Sequence, residues 1–318
     1  MEKVFKQIAK EIKKYNNIII ARHIGPDPDA VCSQIALRDS IKITYPNKSV
    51  YAIGKGVSRF KNFGLLDKID EVPDNALLIV LDVPNIARID GTDITKYHSV
   101  IKIDHHPLED KMGDIELVDT KACSTAQLIT ELIINTNLKI NQDIAGNLYL
   151  GIVSDSERFL LNYTTSETLK LCSYLMEKYE LNIVNLYQKL YLRPLNEVRF
   201  QGFIATHLVV TDYGFAYLKV SKEDINEYKV DLSTASNMIN NFNHINEVLT
   251  WAFVVYDEKN DIFKVSMRSR GPIINHIASN YNGGGHPLAC GARIKDESDV
   301  NKLFNDLDNN CKLFLGEK

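Results

Sequence analysis

The stretch RHIGPDPDA, residues 22–30, places His23, Asp27 and Asp29 within seven positions, interleaved with Pro26 and Pro28. Imidazole and carboxylate groups so close together are donors for a divalent cation. Read alone, Asp-Pro-Asp is equally ordinary turn chemistry. The same donor types recur downstream. Asp82 follows the apolar run ALLIVL, Asp104-His105-His106 follows SVIKI, and Asp155 closes the segment NQDIAGNLYLGIVSD. Singly, Asp82 before Pro84 could cap a helix, and Asp155 could be a surface residue. Adjacent histidines after a buried strand have little structural use. All four clusters sit just past the C-terminal end of a strand or at a helix end. In open α/β sheets those strand ends line the ligand crevice, so the clusters converge if their strands are parallel neighbours. Gathered alone, the carboxylates would repel one another. Two divalent cations relieve that repulsion, and the mixed carboxylate–imidazole set suits Mn²⁺, with Mg²⁺, Co²⁺ or Zn²⁺ as alternatives.

The elements needed to position these groups are visible. Residues 18–21, 49–54, 76–83 and 99–106 are strand-like, and 76–83 is a continuous apolar run typical of a buried parallel strand. Helical segments at 30–41, 124–134 and 141–155 alternate with them, which predicts an α/β, Rossmann-like parallel sheet with helices on both faces. A helical stretch from 182 to 206 carries Pro194. Beyond it lie two hairpins, turning at 212–214 and 258–261, then a helix at 272–281, a glycine run, a strand at 288–294 and a final helix at 298–315. The expected organisation is a metal-binding domain at 1–187, a helical linker at 188–200 and a smaller α+β domain at 201–318.

Composition narrows the class. The chain has 318 residues, is 45% apolar and 25% charged, and carries Lys+Arg 37 against Asp+Glu 41, a net charge of −4. That balance excludes an extended basic track for long duplex nucleic acid but allows a local patch for a short anion. The five cysteines are dispersed with no CxxC pair, the pattern of reduced thiols in a cytoplasmic protein. The N-terminus reads as an amphipathic helix, and no apolar run approaches the roughly 18 residues of a membrane span.

In the second half, GGGH (283–286) presents three residues without side chains before a histidine, so backbone N–H groups can approach an anion. Between a predicted helix and strand, it could also be a helix cap and turn. VSMRSRG (265–271) ends a strand with Arg268, Ser269 and Arg270; Arg268 is the candidate phosphate clamp, since guanidinium matches phosphate bidentately.

The ordered set His23-x3-Asp27-x-Asp29, Asp82, Asp104-His105-His106 and GIVSDSERF (151–159), followed by NYNGGGHPLACGAR (280–293), resembles the DHH phosphoesterase family with its DHH-associated C-terminal domain. The resemblance covers nearly the whole chain. Within the family it is similar to the nanoRNase and pAp-phosphatase group and to phosphodiesterases of linear dinucleotides. It implies two Mn²⁺ ions: His23, Asp27 and Asp82 around one, and Asp29, Asp82, His105 and Asp155 around the other. It implies that Asp104 orients the histidine pair and that His106 lies beside the scissile phosphate. Arg268, Ser269, Gly283, Gly284, Gly285, His286 and Arg158 would bind substrate. The implied substrates are short single-stranded RNA, dinucleotides such as pApA, and pAp, with the small domain anchoring one end. A homodimer is also consistent with the family. Glu157, Cys32 and Cys290 depart from the small residues frequent at their positions.

Three other readings compete. A family II-like inorganic pyrophosphatase shares a similar metal domain but needs a denser Lys/Arg clamp. A RecJ-like exonuclease needs a longer chain with an added single-strand-binding module. A non-catalytic nucleotide sensor has no need of the full ligand set.

Overall fold

The structure is a computed structural model that describes residues 1–56 and 58–316. The chain divides into two compact units, residues 1–192 and 193–318.

The first unit runs α1 (Glu2–Lys14), β1 (Asn17–Ala21), α2 (Pro28–Thr44), β2 (Ser49–Ala52), β3 (Ala76–Leu81), β4 (Ser99–Asp104), β5 (Ile115–Val118), α3 (Thr125–Ile134), α4 (Gln142–Asp155), α5 (Ser166–Lys178) and α6 (Ile183–Tyr191). The five strands form one parallel sheet in the order β2-β1-β3-β4-β5. β1, β3 and β4 are therefore neighbours, and their C-terminal ends open on one edge. Every residue of β3 is buried, as a strand covered on both faces requires.

The two faces are covered differently. Ile18, Ile20, Leu77, Ile79, Leu81, Ile101 and Ile103 pack with the apolar sides of α1 to α4. On the other face Ile19, Leu78, Val80 and Val100 meet Ile53, Ile89, Ile69 and Ile94, which lie in loops and 3₁₀ turns. The expectation of helices on both faces is corrected here. The segments joining β2 to β3 and β3 to β4 carry only short 3₁₀ turns, too short to present an α-helical face.

The second unit runs α7 (Leu195–His207), β6 (Val209–Val210), β7 (Phe215–Val220), α8 (Lys222–Tyr228), α9 (Leu232–Asn237), β8 (Thr250–Asp257), β9 (Ile262–Ser269), α10 (Asn275–Ser279), β10 (Gly284–His286), β11 (Ala289–Ile294) and α11 (Glu297–Phe314). Its mixed sheet has the order β10-β11-β9-β8-β7-β6, with β7 and β8 parallel and the other pairs antiparallel. One face packs on α10 and α11 through Ala252, Val265, Met267, Cys290 and Leu303. The other packs α7 and α9 over Trp251, Phe253 and Val255 of β8.

Alternation along β9 and β11 shows where that second face is uncovered. Val265, Met267, Cys290 and Ala292 are buried, while Lys264, Ser266, Arg268, Ala289, Gly291 and Arg293 are not. The predicted helix at 272–281 shortens to α10. The GGGH segment is not a turn: Gly284–His286 forms the edge strand β10 on β11. Its outer two glycines are demanded by the fold. A Cβ at Gly283 would lie 2.2 Å from the Gly291 carbonyl oxygen, and Gly285 has φ +135°.

Candidate metal centre and anion surface

The metal-centre residues come from the edge where β1, β3 and β4 end. His23 lies two residues past β1 and is held by a bridge to Ile89 and by Ile24 N–H donating to the Arg88 carbonyl at 2.8 Å. Asp27 and Asp29 belong to a helix start and not to a free-standing Asp-Pro-Asp turn. Pro28 begins α2, and Asp27 is its N-cap, accepting from Ala30 N–H at 2.9 Å. Asp29, one residue into the helix, is buried against the start of α3, where it accepts from the backbone N–H groups of Thr125 (2.8 Å) and Ala126 (3.0 Å). A helix N-terminus favours an anion there.

Asp82 follows β3 with φ 61°, a left-handed conformation uncommon outside glycine. Asp155 ends α4. Gly151 lets that helix come close: a Cβ there would stand 2.5 Å from Ala126 Cβ and 2.9 Å from Asp29 Oδ1. After Asp155 three successive residues, Glu157, Arg158 and Phe159, have positive φ. This turn places the Arg158 guanidinium 5.5 Å from the Tyr191 ring centre.

These side chains converge. Asp82 Oδ2 is 3.5 Å from His23 Nε2, and Asp82 Oδ1 is 3.5 Å from His105 Nε2. His23 Nε2 is also 3.5 Å from Asp27 Oδ2, and His105 Nε2 is 3.3 Å from Asp155 Oδ2. Donor atoms of His23, Asp27 and Asp82 lie within 4.8 Å of one another, as do those of Asp29, His105 and Asp155, and of Asp82, His105 and His106. The donor set, carboxylate oxygens with imidazole nitrogens, fits divalent cations. Its crowding carries a penalty without them.

Burial, then the neighbouring carboxylates Asp82 and Asp155, pushes Asp29 well above the usual carboxylate range. Burial, Asp27 and Asp82 do the same to Asp155. Burial pulls the His23 imidazole down, but Asp27 and Asp82 outweigh it and raise it to about 10. The same pairing, with His105 and His106 nearby, drives Asp82 below the carboxylate range despite burial. Burial, with His106 alongside, holds His105 below its ordinary value, so it keeps a lone pair for a cation.

His106 has a further partner, Asp104. Asp104 Oδ1 accepts from His106 N–H at 3.1 Å and lies 2.9 Å from His106 Nδ1, which sets the ring so that Nδ1 donates. Burial lowers the imidazole pKa, but Asp104 and Asp82 raise it more. Behind this pair stands Lys102, wholly buried, its Nζ 3.5 Å from Asp104 Oδ2 and bonded to the Pro84 carbonyl at 3.1 Å.

Lys102, Thr125 and Arg88 were missed by reading acids and histidines alone. Thr125 Oγ1 donates to Asp82 Oδ1 at 3.0 Å, and the exposed Arg88 brings Nη2 to 3.4 Å from His23 Nδ1. A lysine inside the apolar run of β4 is the one signal the sequence did carry.

In the second unit Arg268, Ala289 and His286 form one row across β9, β11 and β10 on the open face. Arg268 Nε donates to Asn240 Oδ1 at 3.0 Å. Ser269 does not join this row. It points to the opposite face, is buried, and accepts from Gly271 N–H at 3.2 Å. Arg270 follows the strand and turns back on a neighbouring loop. Its guanidinium donates to the carbonyls of Ile245 and Val248 and fastens that loop.

Comparison with known proteins agrees with this architecture. Residues 17–152 match the model of the DHH family, N-terminal domain, and residues 212–313 match the DHHA1 domain. The chain is 37% identical over 310 residues to the bifunctional oligoribonuclease and PAP phosphatase NrnA of Bacillus subtilis (strain 168), covering 96% of this chain and 98% of that one. It is 34% identical to the probable bifunctional oligoribonuclease and PAP phosphatase NrnA of Streptococcus mutans, over 97% and 99% of the two chains. The crystal structure of an exopolyphosphatase-related protein from Bacteroides fragilis shares the fold, with a TM-score of 0.85 at 22% identity and 98% coverage of both chains. Two family models in the expected order and identity at this level over both full lengths leave one conclusion: the chain belongs to the DHH family of phosphoesterases and is a hydrolase.

Proposed function

We propose that this hydrolase cleaves short oligoribonucleotides and linear dinucleotides such as pApA to mononucleotides, and pAp to AMP, using two Mn²⁺ ions. The observation that carries the reading is Asp82, whose two carboxylate oxygens face His23 and His105 separately. A carboxylate so placed is suited to bridge two cations. His23, Asp27 and Asp82 would hold one ion; Asp29, Asp82, His105 and Asp155 would hold the other. When bound, two such ions neutralise the phosphate and acidify the attacking water.

The chain's own residues supply the remainder. Asp104 fixes His106 with Nδ1–H turned inward, leaving Nε2 as the nitrogen for proton exchange with the leaving oxygen. The Nδ1–H bond to Asp104 favours the protonated ring, the form that can give that proton up. Arg268, His286 and the backbone of Gly283, Gly284 and Gly285 would receive a terminal phosphate. Ser269 would serve by shaping that strand end, and Arg158 by its place beside the Asp155 turn. The substrate class is supported by the named activity of the Bacillus subtilis relative.

The nearest rival is hydrolysis of inorganic pyrophosphate. The side-chain-poor face around Gly284 and Gly291 favours a ligand with a flat, extended body over a compact tetra-anion. A Mn²⁺ assay across pAp, pApA, RNA of two to five residues and pyrophosphate, with products resolved, decides between them. Turnover of the nucleotides with pyrophosphate left intact is expected; preferred turnover of pyrophosphate would overturn the proposal.

A further inference from the structure

On the open face of the second unit, Arg293 of β11 stands directly opposite Lys264 of β9. Like charges in directly opposed cross-strand positions are destabilising. Lys264 is compensated, with its Nζ 2.6 Å from an Asp257 carboxylate oxygen. Arg293 is exposed, and among the described residues no ion pair includes it. The cation pair borders a cleft of about 400 Å³ lined also by Asn282, Gly284 and Gly291, within the ~300–1,000 Å³ range of small-molecule sites.

The floor of this region is bare. Gly284, Gly291 and Ser266 form a row across β10, β11 and β9. Gly284 has no structural reason to be glycine. A Cβ there would meet no atom within 4 Å, and its φ is not in the left-handed range. A residue kept bare where the fold has room for a side chain leaves space for something outside the chain. The Arg268–His286 row lies at one end of this floor and the Lys264–Arg293 row at the other. Four residues of strand separate them, about 13 Å.

We propose that the Lys264–Arg293 end is a second anion subsite. It takes a further phosphate of an oligonucleotide that also engages Arg268 and His286, so this unit reads substrate length. The inference rests on the nucleotide reading above. A ligand with one phosphate on this face fills only the Arg268 end. A longer RNA lies across the glycine row and reaches Arg293.

The test is binding by the full chain without added metal, by fluorescence anisotropy with a 5′-phosphorylated RNA pentamer and a 5′-phosphorylated dinucleotide. The wild type is expected to bind the pentamer at least ~10-fold more tightly. R293Q should lose that preference and bind the dinucleotide as before, while R293K keeps it. For R293Q the salt dependence of pentamer binding should shallow by about 0.7, the loss of one phosphate contact on a single strand. No wild-type preference for the pentamer, an unchanged preference in R293Q, or equal weakening of both ligands would overturn the subsite. Failure of the hydrolytic reading is seen separately, as wild-type protein with Mn²⁺ that turns over neither pAp nor dinucleotide.

Discussion

Lys102 and Asp104 face each other with no solvent exposure on either side chain, ammonium to carboxylate at 3.5 Å. Removing one member of a buried pair leaves the other charge uncompensated, typically at a cost of ~3–5 kcal/mol. K102M should therefore lower the melting temperature sharply. The double variant K102M/D104N should recover part of the loss, because it removes the orphaned charge. Thermal denaturation of the three proteins checks this; additive losses would show that the two side chains are not coupled.

His106 depends on Asp104 for its orientation. With H106Q, kcat should fall ~10²–10⁴-fold, the usual contribution of a positioned acid or base. D104N should fall less, and H106Q/D104N no further than H106Q. Steady-state rates on pAp measure the set. A double variant clearly worse than H106Q would give Asp104 a separate role.

Above pH 6 the pH dependence of metal-free stability is set mainly by the raised groups; Asp82 is lowered but is already ionised there in both states, and the lowered His105 opposes the trend only around its ordinary value. Asp29 and Asp155 are raised in the folded protein from 3.8, and His23 is raised from 6.5 to about 10. Above the unfolded pKa the folded state holds the extra protons, so stability is present at low pH and lost as pH rises through the folded values. Metal-free protein should melt progressively lower from pH 6 to pH 9. A saturating divalent cation replaces those protons, so its stabilising increment should grow over the same range. Differential scanning calorimetry with and without Mn²⁺ reads both slopes; an increment that shrinks with pH would contradict the cluster's electrostatics.

Much of this centre was legible in the sequence because its donors follow apolar runs whose parallel pairing could be expected. Asp82 after ALLIVL and Asp104-His105-His106 after SVIKI needed only β3 and β4 to be neighbours. What was not legible lies in tertiary detail. Thr125 is an unremarkable helix-start residue until α3 meets Asp29 and Asp82. Ser269 and Arg268 are adjacent in sequence, but strand alternation sends them to opposite faces. GGGH reads in sequence as an anion-contacting glycine run or a helix cap and turn, and only pairing with Cys290 and its neighbours makes it a strand.

Thr125 gives a prediction of its own. T125V keeps the shape and the backbone donor to Asp29 but deletes the hydroxyl that bonds Asp82 Oδ1. Loss of such a supporting contact typically weakens metal binding ~10–100-fold. Isothermal titration with Mn²⁺ should show this with little change in fold by circular dichroism. Wild-type affinity would mean that Asp82 is held by its backbone alone.

The proposed two-cation centre depends on Asp82, which faces both His23 and His105. The most direct measurement combines bound-Mn²⁺ stoichiometry with the rate of pAp hydrolysis for wild type and D82A. Two ions per wild-type chain are expected, fewer in D82A, with the rate of D82A reduced at least ~10³-fold. Undiminished Mn²⁺-dependent turnover by D82A would contradict it.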